Sequence, residues 1–342
     1  MSQSILCQDD GRISLFPIPK ENLPIWQLYK KHESTDWNAG EVNFVKDQPF
    51  LKKLSEPEKL LIKRVITFFA KGDDLINLNI EENLLPMIQM RECKMLYDYK
   101  KRIENVHIEV YGRFVESYMP TAGEQQEIFN DITQNVSVSK KFKWIQDYIA
   151  NSGSSLSDNI PEKSKLALLI LMDYITEGLF FSGSFAIIFW FQSRNMLPAL
   201  CEANEFIRRD ENLHVDIADL CYNEYIPQNE KLNVNVVHNI MKKAVNTEIQ
   251  FMNSAMPNGA ELPGMNINLM TEYIKFMADY LLEKIKYPKL FNVKNPFPFM
   301  DKQGLQTKTN FFEHNASQYT KAKTQMTNEE KQLSFSSKKR RT

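Results

Sequence analysis

The chain has 342 residues, with 42 Lys and Arg against 43 Asp and Glu, and a formal net charge of −1. That balance creates no overall field favouring nucleic acid or an anionic membrane surface. Four cysteines, Cys7, Cys93, Cys201 and Cys221, form neither a C-x-x-C pair nor zinc-type spacing, and read as free thiols of a reducing compartment. The polar N-terminus has no apolar h-region, so the expectation is an intracellular, cytoplasmic protein without a secretory signal.

Glycine and proline are sparse and no linker divides the apolar segments, so one large domain at 51–318 is expected between an N-terminal arm (1–50) and a flexible tail (319–342). The arm carries the prolines of FPIPK and ENLP, then a short amphipathic stretch around Trp26 and Tyr29. Ser55-Glu-Pro-Glu58 is a capping box with Pro in the first turn. It opens a long helix through LLIKRVITFFAKGDDLINLNIEENLL. A second helix is expected from about Cys93 to Tyr118, ending before Pro120, and a third over Thr121 to Ile132. Residues 135–165 are polar, contain the loop NSGSSLSDN, and read as a surface insertion without effect on the chemistry.

Ile160 to Phe191 is apolar, but Asp173 and Glu177 divide it into runs shorter than the roughly 18 residues of a membrane span. A helix apolar on all sides is also the central helix of a large bundle, and that reading is preferred, with no membrane partner. RNMLP makes a turn into a helix from Leu200 to Tyr222, and two amphipathic helices follow near 231–255 and 266–285. Strand signals are weak throughout, so the fold class expected is all-α. Residues from about 320 onward are lysine-rich with few large apolar side chains, and are expected to be disordered alone.

Two of the five histidines share one local pattern, Glu104-Asn-Val-His107 and Glu211-Asn-Leu-His214. Positions i and i+3 of a helix point the same way, so each pair offers a carboxylate and an imidazole to one point. Asp73, after FFAKG, and Glu177, before GLFFSGSF, are acids in otherwise apolar helical surroundings. Burying such a carboxylate is costly unless it is paired or bound to metal. One E-x-x-H alone is weak evidence and is usually a surface pair. Two on separate helices, with two lone acids on two more, match the ligand set of ferritin-like di-metal carboxylate bundles. The mixed oxygen and nitrogen donors suit iron or manganese. Tyr111, four residues after His107, lies on the same face one turn along, although its position fits a core tyrosine equally well. Phe181, Phe185 and Ile207 read singly as core packing and together as a dry wall for that phenol.

The strings IENVHIEVYG, EGLFFSGSFAIIFW and NEFIRRDENLH resemble the signature segments of the class I ribonucleotide reductase small subunit, the radical-generating di-iron family. FFAKGDDLIN and NFFEHNASQY resemble its other landmarks, so the resemblance runs from about residue 12 to 320. It implies a ferritin-like bundle with additional helices. It implies two iron ions (manganese accepts the same ligands), activated by O2, with Asp73, Glu104 and His107 on one and Glu177, Glu211 and His214 on the other. Glu104 would bridge, and Tyr111 would carry a stable tyrosyl radical. Trp37, in STDWNAGEV, and Asp210 match the electron-transfer route, and Tyr319 the tail residue that relays the radical. The implied partners are a large subunit that reduces ribonucleoside diphosphates and a second copy of this chain.

The ending, KQLSFSSKKRRT, departs from the acidic and aromatic docking tail of that family. It reads as a solvated basic tail, with nuclear targeting or a nucleic-acid patch as competing readings. Other functions compatible with the ligands are a different di-iron carboxylate oxidase, iron storage, and a structural paralogue of the small subunit.

Overall fold

A computed structural model describes residues 4–134, 141, 143–144, 147, 160–256 and 262–300. The long helices are α1 (Leu23–Glu33), α2 (Glu56–Asn79), α3 (Arg91–Tyr118), α4 (Ala122–Gln134), α5 (Lys165–Ile175), α6 (Ser182–Ser193), α7 (Pro198–Leu220), α8 (Val234–Ala255) and α9 (Ile267–Lys284). No strand occurs among the described residues beyond a single bridge, Leu262 to Met265. All nine helices lie in one unit, Met1–Phe297. The tail expected from 319, with Tyr319, lies outside the described residues.

Local chemistry fixes the helix starts. Ser55 Oγ accepts from the Glu58 amide while the Glu58 carboxylate accepts from the Ser55 amide, closing the capping box of α2. The N-terminus of α7 is capped from a distance: the buried Asp47 carboxylate accepts from the amides of Ala199 (2.8 Å) and Leu200 (3.0 Å), and from the Tyr118 hydroxyl (2.7 Å). It thereby ties the start of α7 to the end of α3. Helix α2 packs on α3, α7 packs on α3, α5 and α6, and α1 covers both α3 and α7. These contacts gather α2, α3, α5–α6 and α7 around one interior, and α8 and α9 close it from outside.

The apolar stretch expected as one helix is interrupted. Between α5 and α6 the backbone widens into a π-helix, Thr176–Phe180, and further π turns follow α2 (Ile80–Leu84) and α7 (Cys221–Tyr225). Extra residues in a turn leave backbone groups without their usual partners. Thr176 Oγ1 bonds back to the Met172 carbonyl at 2.8 Å, and the Phe180 carbonyl accepts from Lys141 Nζ at 2.6 Å. Gly178 lets α9 approach closely, because a Cβ would lie 2.6 Å from Leu281 Cδ2 and force that side chain to shift. The whole stretch Glu162–Ser193 is long and apolar enough to cross a membrane, yet 94% of its most apolar window is buried against the rest of the chain. It is the central helix of the bundle.

Lys141 corrects one expectation. It falls in the segment read as a surface insertion, but it is fully buried, meets Glu248 Oε2 at 2.5 Å and lies over the rings of Phe68 and Phe251. Burial pushes its ammonium down to about 8 and the Glu248 carboxyl up to about 7. A residue of that segment thus supports the π-helix that carries Glu177.

Asp47→Ala strands two helix-terminal amides and a buried phenol, so it should destabilise the fold by about 2 kcal/mol in denaturant unfolding. An unchanged transition would remove Asp47 as the cap of α7.

Candidate metal centre

Each of the four inner segments delivers its acid to the same place. Asp73 comes from α2, Glu104 and His107 from α3, Glu177 from the π-helix, and Glu211 and His214 from α7. Ligand atoms of Glu104, Glu177, Glu211 and His214 lie within 4.8 Å of one another, and so do those of Asp73, Glu104 and His107. Glu104 belongs to both groups. All six side chains are buried. His214 Nδ1 is 2.9 Å from Glu104 Oε1 and 3.0 Å from Glu211 Oε2, and His107 Nδ1 is 3.2 Å from Glu211 Oε1. Both imidazoles therefore turn Nδ1 inward.

The electrostatics are those of like charges forced together. Burial, then the nearby Glu104, holds the Asp73 carboxyl well above its usual range. Burial, then Glu104 and Glu177, pushes Glu211 up to about 8. Burial opposes charge on His107 and His214, but the carboxylates around them outweigh it and raise both. Protons thus do the neutralising that two dications would do. The residues fit such ions. Both oxygens of Asp73 are buried with neither a hydrogen bond nor an ion pair among the described residues. The oxygens of Glu104 and Glu177 and Nδ1 of His107 make no hydrogen bond, only close charged contacts, all but the Lys100 contact of Glu177 lying within the cluster itself. A dry core tolerates that many uncompensated polar atoms only when something binds them.

Tyr111 lies one turn beyond His107 on α3 and is fully buried. Its hydroxyl donates to Asn204 Oδ1 at 3.2 Å. Its ring stacks on Phe69, with centroids 4.5 Å apart and planes 4° from parallel. Phe181 and Phe185 pack on the same Phe69 ring, at 5.4 and 5.1 Å, so Phe69 links Tyr111 to them. Ile207 is buried on α7. Burial, then the negative charge of Asp73, pushes the Tyr111 phenol far above its ordinary value.

On the other side, Asp210 Oδ2 accepts from Trp37 Nε1 at 2.6 Å and lies 3.3 Å from His107 Nε2. The indole, the carboxylate and the imidazole form one buried line toward the cluster. The sequence reading missed Phe69, Asn204, Lys100 and Asp173. Helical spacing was the available signal. Phe69 is four residues before Asp73, Asn204 seven before Glu211, Lys100 four before Glu104 and Asp173 four before Glu177.

Comparison with known proteins converges on one family. Residues 12–296 match the model of the ribonucleotide reductase small chain. The ribonucleoside-diphosphate reductase small chain of Variola virus is 37% identical over 320 residues, 93% of this chain and 94% of that one. The ribonucleotide reductase Rnr4 homodimer of Saccharomyces cerevisiae superposes with a TM-score of 0.73 at 28% identity, covering 93% of each chain. The dimanganese(II)-NrdF of Streptococcus sanguinis shares the fold, with a TM-score of 0.74 at 16% identity over 85% of this chain and 99% of that one.

Loading the metal-free chain with Mn(II) at pH 7 should release more than one proton per chain into weak buffer, because Glu211, Asp73 and both imidazoles must shed protons to ligate. Affinity should accordingly rise with pH through the range near pH 8 in which Glu211 ionises. Binding without proton release, or binding that strengthens as pH falls, would contradict this charge state.

Proposed function

The chain belongs to the family of ribonucleotide reductase small chains, and we propose that within the enzyme it generates a radical on Tyr111 and passes it to a separate large subunit. In this reading it is the small subunit of a ribonucleoside-diphosphate reductase, working as a homodimer beside the subunit that reduces ribonucleotides to deoxyribonucleotides. The observation that carries the reading is the convergence of four buried acids and two imidazoles next to a buried phenol.

Asp73, Glu104 and His107 would hold one ion and Glu177, Glu211 and His214 the other, with Glu104 shared. Four carboxylates balance two divalent cations, and the donor set suits iron first and manganese as the second reading. With O2, such a pair of ions supplies the one-electron oxidising power. The remaining chemistry belongs to the protein. Tyr111 would give one electron to the pair of ions and its phenolic proton to the cluster, where Asp73 is the charge the phenol feels most, since burial disfavours both a phenolate and a phenol cation. Phe69, Phe181, Phe185 and Ile207 keep water and reductants from the ring. Asp210 fixes the tautomer and orientation of His107 and couples it to Trp37. That line would carry the electron that quenches Tyr111, with Tyr319 as the next station toward the partner. An independent di-iron oxidase would have no use for a Trp37–Asp210–His107 line leading away from the cluster.

Tyr111→Phe should bind the same amount of metal but give no sharp tyrosyl signal in electron paramagnetic resonance after anaerobic iron loading and exposure to air. Trp37→Phe should keep that signal and lose turnover with the large subunit. An undiminished signal in Tyr111→Phe, or full turnover in Trp37→Phe, would refute the respective role.

A further inference from the structure

Lys100 is a fully buried lysine on α3, one turn before Glu104. Asp173 is a buried acid on α5, one turn before Glu177. The two meet beneath the cluster: Lys100 Nζ is 2.8 and 3.0 Å from the Asp173 oxygens and 2.5 Å from Glu177 Oε1. The ammonium spends its hydrogen bonds on Asp173 and forms a close ion pair with Glu177. The other oxygen of the same carboxylate, Glu177 Oε2, faces His214 Nδ1 at 3.7 Å, inside the cluster.

Charge counting excludes the simplest role for this lysine. Four acids already match two divalent ions, and Lys100 with Asp173 adds one positive and one negative charge, a net of nothing. Burying an ion pair is seldom a gain in stability over apolar side chains of similar volume. What the pair supplies is direction. A carboxylate can bind a metal through one oxygen or both, and this one has an oxygen already engaged.

We infer that Lys100, oriented by Asp173, is a positioning residue that commits Glu177 to bind its ion through Oε2 alone. Glu177 sits on a π-helix, and the torsions of its side chain would otherwise let the carboxylate turn between binding modes. The tether of Oε1 to Lys100 removes that choice before any ion arrives. Glu104 and Glu211, which lack a lysine partner among the described residues, keep both oxygens for the ions. The inference rests on the two-ion reading of the centre.

The test uses Mn(II) alone on the full chain and two independent readouts. In a crystal structure of the Mn(II)-loaded wild type, Glu177 should ligate through Oε2 only, with Oε1 still in hydrogen-bond distance of Lys100 Nζ. The double variant Lys100→Met with Asp173→Asn removes the pair without leaving an unpaired buried charge. In it, Glu177 should adopt a different ligation mode, and the weaker of two Mn(II) equilibria should loosen by about tenfold, as loss of such an orienting partner typically does. A pair that only braces α3 against α5 would lower the melting temperature and leave affinity and ligation unchanged, and that result overturns the inference. Two-oxygen ligation by Glu177 in the wild type overturns it without any variant. Failure of the wild type to take up Mn(II) at all would instead overturn the two-ion reading on which it rests.

Discussion

Four carboxylates crowded into a dry helical interior repel one another, and the architecture around them is arranged to tolerate that repulsion. Each acid arrives from a separate segment, so none could be removed from the centre without unpacking a helix. Isolated buried charge costs far more than any single packing contact returns. The six groups share protons in place of ions, raising Asp73, Glu211 and both imidazoles, and a pair of dications would take over that duty. Stability and metal binding are one problem in this chain, because the groups that strain the fold are the groups that would ligate.

The secondary features answer to the same constraint. The π-helix at Thr176–Phe180 turns Glu177 inward from the most apolar helix of the molecule, and Lys141 and Thr176 occupy backbone groups at the break. Asp47 anchors the start of α7, the helix that carries Asp210, Glu211 and His214. Tyr111 is kept neutral, dry and stacked on one side of the cluster. On the opposite face of the same His107, Asp210 and Trp37 lead outward. One helix, α3, thus sets the geometry of acid, imidazole and phenol together through its 3.6-residue repeat.

Much of this was legible in the amino-acid order because helices translate spacing into direction. The i, i+3 pairs and Tyr111 four residues beyond His107 were readable as one face, and the capping box at Ser55 and Pro120 marked helix limits within a residue or two. The break beside Glu177 was not readable, because a stretch apolar on every side has no periodicity whose phase could slip. Lys100 and Lys141 were passed over for a related reason. A lysine in a charged stretch ordinarily belongs to a solvated face, and only the position of a buried acid on another segment reveals otherwise. Phe69 and Asn204 had helical spacing alone to mark them, since their part is played against a side chain far away in sequence.

The central claim is that Glu104 holds two ions at once. X-ray absorption at the metal edge of the loaded chain measures this directly. The account predicts a metal–metal vector at roughly 3.5–4 Å, as in two-metal sites generally, and its disappearance in Glu104→Ala. A loaded wild-type chain without that vector, or a Glu104→Ala chain that keeps it, would contradict the account.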